Sequence, residues 1–592
     1  MDKEKFYRAA IEAHDAKLQV IRGKVNGVSL LRVGIFGALG GAVWGLIRDY
    51  SGWWVVGVVA FAAAFVAAVN WYFRLKDERL LLEKLVFVDS NEQAILAGEP
   101  NGFSDGYAFL DHYNYLDDLD VFGPLSVFHA LNRTTTMHGT RALAALLKQS
   151  SLSAGWIREQ QQAVRVLSGQ AELRRLVTAK GLLTAKADGD LGTLTDWLNM
   201  RPQVYNRVWL RILIGAITLV NGGLLLAALS GGSYYPLVIS IAVCWSITGS
   251  FSKFVRREHE LIGHKQPVLE QYAGILAVFS EVDAGGSVVL DRCGVKAREA
   301  HGALQRLSRL GSFFDQRENK MVNLLLNSLA FYDLQCMVAL ERWKARYAPR
   351  FPEWIEVVGN IEALNSLATF AFNNDGYIYP EVAEREQLFL EAKQLAHPLI
   401  PEKRRVANDF GIGSRERLIL VTGSNMSGKT TFLRTVGVNL LLAQIGAPVC
   451  AQAFTFTPMQ LLTSLRISDS LQEQTSYFMA ELKKLQRIVK QLETGAPTLV
   501  LIDEILRGTN SEDKTYGSEQ FARKLAGYRC LSLFATHDLA LGALEAEMPE
   551  AIANYCFESV IEDGELYFSY RLQRGMAKNR NASFLMKKLG II

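Results

Sequence analysis

The sequence predicts a multidomain chain: an α-helical part carrying two transmembrane helical hairpins, followed by a C-terminal α/β unit built around a phosphate loop. Three observations carry this reading. Two long stretches lacking charged side chains lie in the first 260 residues. A Gly-rich loop stands between a strand-like and a helix-like run near residue 423. Further on, an apolar β-branched run ends in an acidic pair.

Residues 1–28 are charged and amphipathic, which suits a cytoplasmic N-terminal segment and not a secretory leader. Residues 29–74 form the first hairpin. Its first limb, residues 33–47, lies between Arg32 and Arg48 and needs Arg32 to reach the interface. Its second limb, residues 50–73, has no charge and carries Trp53, Trp54, Trp71 and Tyr72 near its ends, as interfacial anchors would be placed. Residues 206–254 form the second hairpin: 212–252 contain no Asp, Glu, Lys or Arg and are broken only by the small and aromatic residues 230–236. Each half is about 20 residues, the length that crosses a hydrocarbon layer as a helix. Basic residues flank both hairpins (Arg22, Lys24, Arg74 and Lys76; Arg207, Arg211, Lys253 and Arg256), whereas the connecting turns carry almost no charge. By the positive-inside tendency both hairpins return, leaving a multi-pass inner (cytoplasmic) membrane protein with its bulk in the cytoplasm and lipid as a partner. Asn221 falls mid-span and should face another helix. A hairpin buried inside a soluble domain is the competing reading of each stretch.

Residues 75–205 and 255–385 carry helical periodicity with few breakers. Composition bounds the partners. With 64 basic against 60 acidic residues the net charge is +4, which gives no global nucleic-acid signal. Six scattered cysteines without a C-x-x-C pair argue against a disulfide or zinc framework. The mean hydropathy of +0.09 is high for a chain with 21% charged residues, and the two hairpins account for it.

Residues 386–592 hold the chemistry. Gly423, Ser424, Asn425, Met426, Ser427, Gly428, Lys429 and Thr430 fit G-x-x-x-x-G-K-[ST]. The pattern has mechanical meaning here because a strand-like run, residues 418–421, precedes it and a helix-like run from Thr431 follows. Backbone N–H groups of such a loop wrap a triphosphate, Lys429 supplies a charge to it, and the Thr430 hydroxyl suits Mg²⁺. ATP and Mg²⁺ are the expected ligands. Residues 498–502 read as a buried parallel strand delivering Asp503 and Glu504 at its carboxyl edge. Asp503 is placed to hold the metal and Glu504 to orient and deprotonate a water. His537 follows another strand-like run, residues 532–535, where it can sense the γ-phosphate.

These residues together resemble the ATPase of the MutS mismatch-repair family. Asn425-Met426 inside the loop, Arg507-Gly508-Thr509 after the acidic pair, and Ala535-Thr536-His537 carry the resemblance. Arg466 to Asp469 and Ser476 to Glu481 are similar to the family's signature segment, which implies that Ser476 reaches the γ-phosphate held by a partner subunit in a composite homodimeric site. His397 to Ile400 and Val406 to Phe410 match the stretch flanking the nucleotide base. Asp120 to Arg141 looks like the family's core, residues 255–385 like its levers, and Tyr570 to Gly575 with 582–590 like its closing strand and helix. The implied fold is thus a P-loop ATPase of ABC/MutS type on a helical core and levers. Ser424, Ser427 and Tyr477 depart from the usual pattern, but none removes a charge or a metal ligand. Only about 100 residues precede the core, too few for the family's mismatch-reading domains, and the Phe-x-Glu matches at 279, 351 and 389 fall in lever or linker positions. The expectation is a membrane-anchored MutS-like ATPase whose levers act on a membrane or an unidentified protein partner. The alternative is a membrane-tethered, ATP-dependent DNA-binding protein. A transport ATPase is disfavoured by the lack of an LSGGQ-like signature.

Overall fold

The computed structural model describes residues 2–49, 51–111, 115–149, 151–183, 192–262, 265–466, 477–506, 509–562, 565–578 and 591. Helices α1 (Lys3–Arg48) and α2 (Gly52–Leu96) form an antiparallel hairpin whose 46 and 45 residues each rise about 68 Å at 1.5 Å per residue. Its foot is cemented by Leu18, Ile21 and Val25 against Leu75, Leu82, Leu85 and Val88. Its far end presents Val33, Phe36, Trp44, Ile47, Trp53 and Val56 outward with no protein cover. The charged residues 3–28 therefore run into the apolar limb as one unbroken helix, and α2 likewise continues well past residue 74.

The foot docks through a buried polar relay. The Tyr7 hydroxyl donates to Asn373 Oδ1 (2.8 Å), Asn373 Nδ2 donates to Glu92 Oε2 (2.7 Å), and Glu92 takes both arms of Arg133 (2.9 Å each). An Arg–carboxylate fork of this kind fixes orientation as well as distance.

The helical part continues with α3 (Tyr115–Asp118), α4 (Val127–Leu131), α5 (Met137–Lys148), α6 (Ala154–Ser168), α7 (Ala171–Leu182) and α8 (Gly192–Asn199). A second apolar hairpin follows, α9 (Val208–Leu229) and α10 (Tyr235–Ile262). Then come α11 (Gln266–Phe279), α12 (Val288–Asp315), α13 (Lys320–Ala330), α14 (Tyr332–Tyr347) and α15 (Phe351–Asn373). Helix α15 is the spine of this part and is buried along most of its length. Its Glu362, fully enclosed, accepts from the backbone N–H of Thr135 (2.8 Å) and Thr136 (3.2 Å) and from both their hydroxyls. Gly139 in the first turn of α5 sits against that carboxylate, where a β-carbon would come within 2.1 Å of it.

Among the described residues, α1, α2, α9 and α10 are long and apolar enough to cross a membrane. Asn221, fully buried in α9, faces neighbouring helices: its Nδ2 donates to Cys244 Sγ of α10 (3.3 Å) and to the Leu329 carbonyl of α13 (3.0 Å). Helix α13 is short and apolar, leaves Met321, Leu324 and Leu325 uncovered, and ends at Phe331 (φ +50°), where the chain bends by 80°. All six cysteines are buried and free.

The C-terminal α/β part holds two mixed sheets. In chain order its elements are β1 (Glu381–Val382), β2 (Leu390–Leu395), β3 (Asn408–Ile412), β4 (Leu418–Gly423), α16 (Lys429–Gln444), β5 (Ala453–Phe456) and β6 (Gln460–Ser464). They continue with α17 (Tyr477–Leu492), β7 (Thr498–Asp503), α18 (Ser511–Gly527), β8 (Cys530–Thr536), α19 (Leu544–Glu547), β9 (Ile552–Glu562) and β10 (Glu565–Arg574). The smaller sheet has the order β1-β5-β2-β3 and the larger β10-β9-β4-β8-β7-β6. In the larger sheet β9, β4, β8, β7 and β6 are parallel, and β10 closes the edge antiparallel to β9. Strands β4, β7 and β8 are buried throughout, as their unbroken apolar runs require.

Candidate functional site

Strands β4, β8 and β7 are neighbours and parallel, so their carboxyl ends open at one edge of the sheet. That edge is where open α/β folds bind ligands. The loop after β4 turns sharply into α16 with Met426 at φ +67° and Gly428 at φ +106°. Gly428 is the N-cap of α16, and a β-carbon there would stand 3.1 Å from the Tyr570 ring. Glycine supplies both the backbone angle and the room.

The loop's functional side chains converge with those of β7 and β8. Lys429 is buried, and its Nζ donates to the carbonyls of Gly423 (2.9 Å) and Ser424 (3.0 Å). The Thr430 hydroxyl donates to Asp503 Oδ2 at 2.5 Å. Glu504 follows at φ +43°, with its N–H donating to Ala535 O of β8 (3.0 Å) and its carboxylate paired with His537. His537 Nε2 lies 2.7 Å from Asn425 Oδ1, and Lys429 Nζ lies 3.5 Å from Nδ1. Lys429 Nζ is nearer still to Nε2, at 3.3 Å, so the ring nitrogen that faces the Asn425 amide oxygen and the Glu504 carboxylate faces the ammonium as well. Ser427 is buried under the loop, while Ser424 is half-buried and Met426 exposed. Thr430 and Asp503 form a pair of hard oxygen donors, which suits Mg²⁺ completed by phosphate and water oxygens.

Beside the loop lies a cavity of about 200 Å³ walled by His397, Val406, Gly428, Thr431, Phe432 and Tyr570. Thr431 thus faces the cavity next to the loop, and the stretches 397–400 and 406–410 singled out in the sequence give His397, Ile400, Val406 and Asn408 to its far wall. Asn408 ties that wall to the closing strand, with its Nδ2 donating to Tyr570 O (3.0 Å) and its Oδ1 accepting from Leu572 N (2.7 Å). Burial, reinforced by the nearby Arg434 guanidinium, pushes the His397 imidazole down to about 4, so it is neutral at physiological pH. Ser476, the remaining sequence candidate, lies outside the described residues, as do Arg507, Gly508 and 582–590.

Residues to which the sequence reading gave no role of this kind, Asp118 foremost, support the site from behind. Asp118, fully buried, accepts from the Thr463 hydroxyl (2.6 Å), Leu465 N and Arg466 N (3.0 Å each) and Lys484 Nζ (2.7 Å). Asp120 holds Arg434 of α16 (2.8 Å) and Arg466 (2.6 Å). Leu119, between them, packs so close to α16 that a β-carbon on Gly437 would sit 2.9 Å from its side chain. Buried Glu481 of α17 accepts from Leu506 N (2.7 Å) and braces the turn after Glu504. A separation of some 350 residues hides the Asp118 contacts from any local pattern.

The family model of MutS domain V matches residues 419–587, a span that contains the loop, Asp503, Glu504 and His537. The carboxy-terminal region is a MutS domain V. Two curated proteins named DNA mismatch repair protein MutS, from Clostridium botulinum strains Langeland and Kyoto, are each 31% identical over 251 residues. That match takes in 41% of this chain and 26% of each relative, so the chain spans about a quarter of the length of the MutS proteins it resembles. Over that region the chain is related to the MutS family. The far wall of the cavity beside the loop, residues 397–408, precedes the matched domain V span.

Proposed function

We propose that the chain is a membrane-anchored MutS-type ATPase that binds and hydrolyses ATP with Mg²⁺ in a composite homodimer and transmits the cycle through its helical levers. The observation that carries this is the meeting of Lys429, Thr430, Asp503, Glu504 and His537 at one sheet edge, beside a cavity of the right placement for a nucleotide base. Lys429 exchanges its two loop carbonyls for phosphate oxygens. Thr430 and Asp503 hold the metal ion, which when bound neutralises charge on the phosphates. Glu504 accepts the proton of the attacking water, and His537 keeps that carboxylate aimed while facing the γ-phosphate. Residues 423–431 cradle the nucleotide, and Ser476 completes the site of the partner subunit.

The anchoring half of the proposal rests on α1, α2, α9 and α10, whose exposed apolar faces require a hydrocarbon surround. The relay Tyr7–Asn373–Glu92–Arg133 then joins the first hairpin to the end of α15, which leads directly into the α/β part. Lys429→Ala tests the proposal. It should abolish ATP binding while the chain still co-floats with phosphatidylcholine vesicles; retained ATP affinity refutes the loop assignment, and failure to float refutes the anchor.

The names of the relatives favour a second reading, a membrane-tethered ATPase that binds DNA. It demands hydrolysis stimulated by DNA and binding that weakens steeply with salt. Turnover indifferent to duplex, mismatched and branched DNA removes it.

A further inference from the structure

A second and larger cavity, of about 940 Å³, lies between α9, α12 and α14 and shares no lining residue with the one beside the phosphate loop. Five arginines line it: Arg211 of α9, Arg306 and Arg309 of α12, and Arg342 and Arg346 of α14. No carboxylate does. The nearest acidic side chain along α14, Glu341, is turned the other way and accepts from the backbone N–H of Gln203, Val204 and Tyr205 (2.8, 2.8 and 2.6 Å). Arg306, Arg309, Arg342 and Arg346 are exposed, and among the described residues none of the five has an ion pair. Arg211 lies against the Tyr205 ring (4.7 Å), with its buried Nε unmatched by any acceptor.

The opposite wall is apolar and belongs to the bilayer side. Arg211 is the last charge before the run 212–252, so Ile214, Thr218 and Leu219 lie one to two turns inside it. At Gly215 the wall is open: a β-carbon there meets nothing within 4 Å. Leu310 and Trp343 extend the apolar lining toward the arginines. The cavity thus has a cationic end and an apolar end, astride the level where α9 enters its charge-free stretch. Its volume lies in the range of sites that enclose a small-molecule ligand, roughly 300–1,000 Å³.

We infer that this cavity is a binding site for an anionic phospholipid, with the phosphate headgroup held by the arginines and an acyl chain lying along Ile214, Gly215 and Leu219. Guanidinium forks match phosphate oxygens bidentately, and five of them without a counter-charge call for a dianionic or multiply contacted ligand. Polybasic clusters at a cytoplasmic membrane face select anionic headgroups in the same way. The inference rests on the proposal that α9 and α10 cross the bilayer.

The test uses the full-length chain in non-ionic detergent, titrated with dioctanoyl phosphatidylglycerol, dioctanoyl phosphatidylcholine, inorganic phosphate and a 20-base-pair DNA duplex, read by intrinsic tryptophan fluorescence. Phosphatidylglycerol should bind at least tenfold more tightly than phosphatidylcholine or phosphate. R306Q/R309Q should weaken phosphatidylglycerol tenfold or more and leave basal ATP hydrolysis unchanged, and R306K/R309K, which keeps the charge, should recover part of the loss. Equal affinity for the two lipids, phosphate binding as tight as phosphatidylglycerol, or indifference of R306Q/R309Q overturns the site. So does duplex DNA displacing the lipid with higher affinity, which would make the cluster a nucleic-acid contact. Flotation of the wild type with pure phosphatidylcholine vesicles separates the two claims: retention without a preference for phosphatidylglycerol refutes the site alone, and loss of retention refutes the anchor.

Discussion

Replacing Asp118 with Asn should uncouple the helical core from the ATPase part, and the structure sets the size of the effect. Asp118 Oδ2 takes three donors and Oδ1 one, with its side chain 1% exposed and Lys484 19% exposed. An Asn side chain keeps one acceptor oxygen. Its NH₂ must face either the Arg466 N–H or the trio of Thr463, Leu465 and Lys484, so at least one buried donor meets a donor. An unmatched buried N–H costs about 1–3 kcal/mol, and the lost charge-assisted bond to Lys484 about 1.5–3 kcal/mol. The sum, about 4 kcal/mol, matches what breaking a buried pair costs. For an α/β unit of this size that lowers the melting temperature by roughly 10 °C. Glu384→Gln is the internal control: its carboxylate is 62% exposed, its partner Arg158 49%, and the exposed pair is worth below about 1 kcal/mol. Calorimetry of the full-length variants in detergent reads both, and hydrogen exchange at β6 should rise only for Asp118→Asn. An unchanged transition for Asp118→Asn, or equal losses for the two variants, refutes the account of Asp118 as the buried joint.

Gly428→Ala should cost about 1–3 kcal/mol, because φ +106° is strained for alanine and the new methyl presses on Tyr570; ATP affinity measured by calorimetric titration should fall with it, and an unaltered affinity contradicts the loop geometry. His397 gives a pH signature. Its folded value near 4 lies below the ordinary 6.5, so as pH falls through that window the unfolded chain takes up a proton that the folded chain refuses. Stability should drop by up to about 1.4 kcal/mol per pH unit between 6.5 and 4 from this group, and His397→Phe should flatten that part of the acid unfolding curve.

The site was more legible than the machinery around it. Lys429, Thr430, Asp503, Glu504 and His537 announce themselves because each follows a buried apolar run, and parallel strands bring such ends to one edge. Residues 397–400 and 406–410 carried only a resemblance, and the structure gives them a location, the far wall of the cavity beside the loop. The apolar limbs were legible through their charge-free length alone. What local patterns could not show was continuity: α1 carries charged residues 3–28 and apolar residues 33–47 on one rod, because helical hydrogen bonding does not register the change of surroundings. Helix α13 escaped notice because 11 residues inside a longer helical pattern carry no distinct signal, and its contacts with Asn221 and Trp245 place it against the second hairpin. The arginine cavity gathers positions 211, 306, 309, 342 and 346 from three helices, and the Asp118 joint pairs residues some 350 apart. Long-range convergence of this kind leaves no trace in spacing.

The most direct measurement is steady-state ATP hydrolysis by the full-length protein in phosphatidylcholine vesicles, wild type against Glu504→Gln, with ATP binding followed in parallel. The account predicts Mg²⁺-dependent hydrolysis by the wild type, a loss of about 100-fold or more in the variant, and retained binding that accumulates the ATP-bound dimer. Hydrolysis by Glu504→Gln at the wild-type rate, or a wild type that binds no ATP, would contradict it.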